Sequence, residues 1–350
     1  MEKIWLSNLK RIVEDDGYKH NILIWGASSK SNYILSVFRE WGCNVIGYVD
    51  KKADSISSYN DLPVYTADKL TEEKYFVFVA LTVHYAEILT QLDTLGYIEF
   101  KDFWYPNRIV DLDGTENYED AYGNILVTQN VNPILVKLRS GGKVELNKCK
   151  LNISTKIVSE GQSYIRIGEG VSFGENAVVS STNGTILIGD KCRFNSFIKV
   201  RASCGGKINI GKKCSMNRDC AITASFDAQI ILGEDCMISY SVFFRAGNSH
   251  NMIDLDTLEH FDDSTTRDVI LGEHVWVGMR ATLMNGVKIG SGATIGANSF
   301  VCKRTFPNNC CIAGNPARIL REHTAWIRDG MVMRKDIEDY EDFIYSEFES

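Results

Sequence analysis

Ile188-Gly189-Asp-Lys-Cys192, Ile210-Gly211-Lys-Lys-Cys214 and Leu232-Gly233-Glu-Asp-Cys236 are three copies of one phrase, and they decide the fold. The phrase returns at Ile167-Gly168, Leu271-Gly272 and Ile289-Gly290, so an apolar residue followed by Gly recurs from Ile165 to about Ala313. Three residues after each Gly stands a small or β-branched apolar residue: Val171, Cys192, Cys214, Cys236, Val275 and Ala293. Six residues further on, that type returns in many copies, as Ala177, Ile198, Cys220, Val242 and Ala281, with Ser299 in the last. A period of six with one inward apolar position is the hexapeptide pattern of a parallel β-helix, in which three six-residue faces close one triangular coil. One coil cannot bury its inward residues alone, so stacking must do it.

The steps between glycines are coil-sized. Gly189 to Gly211 and Gly211 to Gly233 are 22 residues each, and Gly272 to Gly290 is 18, three bare hexapeptides. The longer step is the same coil with a four-residue corner extension. From Gly233 to Gly272 the step is 39, about 17 more than a long coil. That surplus, Asn248 to about Asp268, is expected to be a loop expelled from the scaffold, where chemistry is usually placed.

Upstream of the repeat the pattern changes. Residues 2 to 14 suit an amphipathic helix. Asn21 to Trp25, the turn Gly26-Ala-Ser-Ser-Lys-Ser-Asn, a helix from about Asn32 to Trp41, and Val45 to Val49 ending in Asp50 read as a βαβ nucleotide-binding unit. Only Gly26 remains of a glycine-rich phosphate turn, which argues against redox use of a dinucleotide. Ser28, Ser29, Asp50 and His84 fall at carboxyl ends of strands, where ligands bind in such sheets, although capping roles suit them too. Lys101 to about Gly123 reads as a linker. The domains expected are therefore a Rossmann-like α/β domain over 1–123, a β-helix over 124–320 and a helical tail over 321–350, with helices at Ile319 to Ile327 and Lys335 to Phe348.

Composition narrows the class. A chain of 350 residues with 44% hydrophobic and 24% charged content is long enough for two cores. Net charge −7 without a basic run argues against nucleic acid, and the lack of an 18-residue apolar run argues against a transmembrane span. With no apolar leader after Met1, the expected location is cytoplasmic. The ten cysteines include no C-x2-C pair, and Cys192, Cys214, Cys220 and Cys236 take the inward place as small hydrophobes, so no metal is expected.

Four motifs then carry a resemblance: Cys236-Met-Ile-Ser, Phe244-Arg-Ala-Gly-Asn-Ser-His250-Asn-Met-Ile-Asp254, Gly272-Glu-His-Val-Trp-Val-Gly278 and Ala313-Gly-Asn-Pro-Ala-Arg318. In that order they resemble the hexapeptide-repeat acyltransferases that O-acetylate bacterial surface polysaccharides, over roughly residues 160 to 328. The N-terminal domain more loosely resembles the nucleotide-sugar-binding domain of UDP-amino-sugar N-acetyltransferases. The resemblance implies a left-handed parallel β-helix, a homotrimer with active sites between subunits, and acetyl-CoA as co-substrate along the groove between neighbours.

It also assigns residues. His250 stands where the family's catalytic histidine does, and an imidazole is a suitable base near pH 7. Asp254 is a candidate to orient it, the more so because Asn248 replaces an acid often found there. Trp276 is expected to wall the acceptor site, with Arg245, Asn248 and His274 as substrate contacts and His274 outward by its phase; His260 is expected to be exposed. Gly278, Ala281, Gly296 and Ala297 are candidates to expose backbone to the pantetheine, and Lys303, Arg304 and Arg318 to hold the CoA phosphates. The function expected is acetyl-CoA-dependent O-acetylation of a capsule, O-antigen or related glycan. The alternatives are N-acetylation of a nucleotide-linked amino sugar and a trimeric scaffold without catalysis.

Overall fold

The computed structural model describes residues 4–15, 21–81, 85–99, 101–105, 109–248, 250, 253–259, 267–302 and 304–328. The chain divides into two compact units, one of Met1–Ile109, Asp120–Asn124 and Arg139–Gly141, the other of Val110–Glu119, Ile125–Leu138 and Gly142–Ser350.

The first unit has β1 (Ile22–Trp25), β2 (Val45–Val49), β3 (Ser58–Tyr59), β4 (Leu62–Tyr65), β5 (Phe76–Val79) and β6 (Phe103–Trp104) in one sheet, ordered β3-β4-β2-β1-β5-β6. β1, β2, β4, β5 and β6 pair in parallel, and only β3 runs against its neighbour. Both faces are covered, which is why β1 and β5 are unbroken apolar runs rather than alternating ones. On one side α1 (Ile4–Asp15) and α2 (Asn32–Glu40) bring Leu9 and Phe38 against Ile24 and Phe78, and on the other α3 (Tyr85–Thr94) brings Ile88 and Leu92 against Leu23 and Val77.

The second unit is a parallel β-helix with three faces, sheets of nine, ten and nine strands. Successive coils stack in register: on the first face Val179 lies over Val200 and then Ile222, and on the second Ile186 over Ile208 and Ile230. Inward positions are buried throughout, Val171, Cys192, Cys214, Cys236, Val275 and Ala293 included. Each large inward side chain contributes about 1.5–3 kcal/mol of burial. Burial also pushes the Cys220 thiol up to about 11, so it packs as a neutral small group.

The repeating glycine has a steric cause. A Cβ on Gly211 would lie 2.6 Å from the carbonyl carbon of Gly233, and one on Gly233 would lie 2.4 Å from the Gly272 oxygen. Backbones of adjacent coils touch along this column, so no side chain fits. Two residues on, Lys191, Lys213, Asp235 and His274 turn the corner at φ of 58°, 59°, 56° and 52°.

The corner extensions of the long coils lie between the first and second faces, as from Lys199–Ser203 to Lys207–Ile210. In the 18-residue coil the same corner is shorter: Thr282 to Val287 is five positions, where the stacked Lys199 to Ile208 is nine. The expelled loop leaves at this corner too, between Phe243–Ala246 and Val269–Leu271.

Two readings of the sequence change. The units interleave where a linker was expected: Ile109–Leu112 is already the end strand of the first face. Its residues are only half covered, so apolar alternation is not required of them. Ile319 to Ile327 is not a helix. Ala317–Arg321 is a strand that turns back antiparallel on Cys311–Gly314 and occupies the open edge of the third face. The helix expected at Lys335 to Phe348 lies outside the described residues. Among those described, no helix is long and apolar enough to cross a membrane.

Candidate active site

His250 is exposed at the root of the loop, four residues beyond the strand that ends at Ala246. The corner beneath it is tied by polar contacts from neighbouring coils. Asn285, in the corner turn of the next coil, donates from Nδ2 to Asn248 Oδ1 at 2.7 Å, and its own Oδ1 is buried without a hydrogen bond. Arg245 donates to the Gly247 carbonyl at 3.1 Å and to Ser225 Oγ at 3.3 Å. At the far root Asp268 accepts from Gln229 through both carboxylate oxygens. The loop is therefore anchored at both ends to the rigid coil stack.

Asp254 closes a turn within the loop: its Oδ1 accepts the backbone N–H of Asp256 at 2.8 Å and of Thr257 at 2.9 Å. Those donors hold its carboxyl below the usual carboxylate range, the Thr257 N–H first. His260 lies outside the described residues.

Trp276 lies elsewhere. It is 37% exposed on the third face, and its indole N–H points to Ser239 Oγ at 3.3 Å. In a three-faced coil the corner between the first and second faces is opposite the third, so one chain does not bring Trp276 to the His250 loop.

His274, expected to point outward as a candidate substrate contact, is buried. It does leave the coil at a corner, but the segment after the last strand covers it. Trp326 stacks on the imidazole at 4.0 Å with planes 6° apart and donates from Nε1 to the His274 carbonyl at 2.7 Å. His274 Nδ1 lies 2.7 Å from Asp235 Oδ2 and Nε2 lies 3.0 Å from the Trp326 carbonyl, so both nitrogens sit within hydrogen-bond distance of an oxygen. Arg328 completes the cluster, donating to Asp235 Oδ1 at 2.7 Å and to Ser215 Oγ at 2.8 Å. A ring held in this way fastens the segment after the last strand to the coil stack. Trp326 was missed because it was assigned to a helix; a lone Trp in a polar stretch was the available signal.

The small residues divide. Ala281 points into the core and cannot line a groove, as its inward phase already required. Gly278 and Gly296 form a column on the third face with Ala313, the partner of Arg318 across the last antiparallel pair. Ala297 is exposed in the turn after Gly296. The N–H groups of Gly278 and Gly296 are spent on the Ile295 and Ile312 carbonyls, so carbonyl oxygens and shape remain for a ligand. Arg318 is exposed at the end of this column. Arg304 is on the second face, with its guanidinium over Phe306, and Lys303 lies outside the described residues.

In the α/β unit, Asp50 Oδ2 accepts the Ala27 N–H at 2.8 Å, so this carboxylate closes the first turn. Ser29 opens a short 3-10 turn, and the Ser28 hydroxyl is buried without a hydrogen bond. His84 lies outside the described residues. Among the described residues no group of three His, Cys, Asp or Glu could hold a metal.

Known proteins align with both units. Residues 268–303 match the bacterial transferase hexapeptide (six repeats) family, and residues 18–102 match the C2185-like N-terminal family. The putative lipopolysaccharide biosynthesis O-acetyl transferase WbbJ of Escherichia coli (strain K12) is 39% identical over 70 residues, 20% of this chain and 32% of that protein. The polysialic acid O-acetyltransferase of Escherichia coli O1:K1 / APEC is 29% identical over 92 residues, 26% of this chain and 29% of that one. The chain thus spans about a third of the length of these relatives. Among solved structures, the polySia specific acetyltransferase NeuO aligns over 63% of this chain and 86% of its own, with 26% identity and a TM-score of 0.44. The hexapeptide coils and their glycine column are thus similar to those of bacterial hexapeptide transferases, over residues 268–303 by the family match.

Proposed function

We propose that the chain is an acetyl-CoA-dependent O-acetyltransferase acting on a bacterial surface glycan, with His250 as the general base. The observation that carries this is an exposed imidazole on a loop whose two roots are locked to a rigid scaffold. His250 takes the proton of an acceptor hydroxyl as that oxygen attacks the thioester carbon; the C–S bond breaks and coenzyme A leaves as the thiol. The inward cysteines are buried, and in this reading the transfer is direct, without an acyl-enzyme.

In this reading the site is completed by a second copy. The third-face column of Gly278 and Gly296, ending at Arg318, receives the acetyl-CoA pantetheine and a phosphate, and Trp276 walls the acceptor. Both are turned away from their own His250, so a neighbour's loop supplies the base. Leu255 and Leu258, 87% and 76% exposed on that loop, suit burial against another subunit of a trimer. Asp254 shapes the loop, and Arg245 and Asn248 hold its root.

The test is thiol release from acetyl-CoA by wild type and His250→Ala, each offered capsule oligosaccharides and UDP-amino sugars. Turnover with an oligosaccharide, lost about 10²-fold or more in the variant, is the expected result. Turnover confined to UDP-amino sugars would move the acceptor to the amino-sugar class, and an unimpaired variant would remove His250 from the chemistry.

A further inference from the structure

The N-terminal half of the third face carries a groove of about 500 Å³ that the transfer chemistry does not use. Lys150, Lys191, Arg193, Lys213 and Arg328 line it, with Asp235 as the one acid. That carboxylate is committed to His274 and Arg328. Among the described residues, Lys150, Lys191, Arg193 and Lys213 make no ion pair. Four uncompensated cations on one face repel one another, and an anionic ligand relieves that repulsion.

Their arrangement sets the shape of the ligand. Along the face, Lys150 pairs with Ser172, Ser172 with Arg193, Arg193 with Ser215, Ser215 with Met237 and Met237 with Trp276. Lys191 and Lys213 stand one coil apart in the adjoining corner column, above which come Asp235 and His274. Coils are spaced about 4.8 Å apart, so the four cations, from Lys150 to the Lys213 layer, span roughly 14 Å along the axis. A compact anion would leave most of them unmatched.

We propose that this groove binds an extended polyanion, a glycan chain with acidic groups distributed along it, and leads it along the third face toward Trp276. The identity of the ligand as a glycan acceptor rests on the proposed function; the polyanion site does not.

Binding of a fluorescently labelled oligogalacturonate to the full chain, read by anisotropy without acetyl-CoA, tests it. Wild type should bind, more weakly as salt rises, and Arg193→Glu/Lys213→Glu should lose at least about tenfold. Lys207→Glu, on the second face, should bind as wild type does, and neutral dextran should not compete. Equal loss in Lys207→Glu, or no binding by wild type, would overturn the site. Tripolyphosphate binding as tightly as the oligomer would overturn the extended ligand. Binding that emerges only when Asp336, Glu338, Asp339, Glu341 and Asp342 are neutralised together would make the chain's own tail the occupant. Absence of acetyl transfer in wild type would sink the proposed function and leave this binding result standing.

Discussion

Two histidines in consecutive coils have opposite surroundings. His250 is exposed on a loop at the corner between the first and second faces; His274 is buried at the edge of the third face, with an oxygen within reach of each nitrogen and its ring stacked on Trp326. Acid–base work needs a ring that can reach a substrate, which His274 cannot do beneath Trp326. The difference separates residues that do chemistry from residues that fasten the scaffold, although both belong to family-like motifs.

The sharpest way to break this contrast is to remove each ring. His250→Ala should lower kcat by about 10² or more and leave the melting temperature unchanged. His274→Ala should do the reverse, costing about 3 kcal/mol of stability because a stacked ring and two hydrogen bonds go and Asp235 loses a partner. Urea unfolding followed on both variants checks this; loss of rate without loss of stability in His274→Ala would place that ring in the site after all.

Smaller changes sharpen the picture at the loop. Asn285→Ala removes the bond to Asn248, worth about 1 kcal/mol, and should slow turnover about fivefold through misplacement of the loop root. A rate equal to wild type would show that the root is held without it.

The smallest effect belongs to Asp254. Its carboxyl is depressed by the Thr257 and Asp256 N–H groups, so its turn is supported above the unfolded carboxylate pKa and loses that support as pH falls through the lower folded value. Amide exchange at Thr257 should therefore quicken only in acid, and Asp254→Asn should change kcat less than about twofold. A tenfold fall with a shifted pH–rate profile would make Asp254 the partner that orients His250 instead.

The coils were legible because their determinants are local. Every Gly of the Ile-Gly phrase sits where a Cβ would strike the next backbone, and the inward residue three positions after it is small or β-branched, so geometry is written directly into period and residue type. The loop was legible as a surplus of length. His274 was not, because what buries it comes from Trp326 and Arg328, more than fifty residues on, in a stretch without periodicity. The helix expected over Ile319 to Ile327 fails for a related reason: its first residues belong to the end strand Ala317–Arg321, and an edge strand needs little burial and is fixed by its partner rather than its own pattern.

The sequence by itself determined the repeat, the coil length, the corner that opens into a loop and the histidine on it. Only the tertiary structure decided which residues share a face. Trp276 and His250 lie 26 positions apart in sequence and on opposite sides of the coil, whereas Lys150 and Arg193, 43 apart, lie two layers from each other in one groove. In a β-helix neighbourhood is set by stacking register, and that register is a sum of every coil between two residues, which no local motif contains.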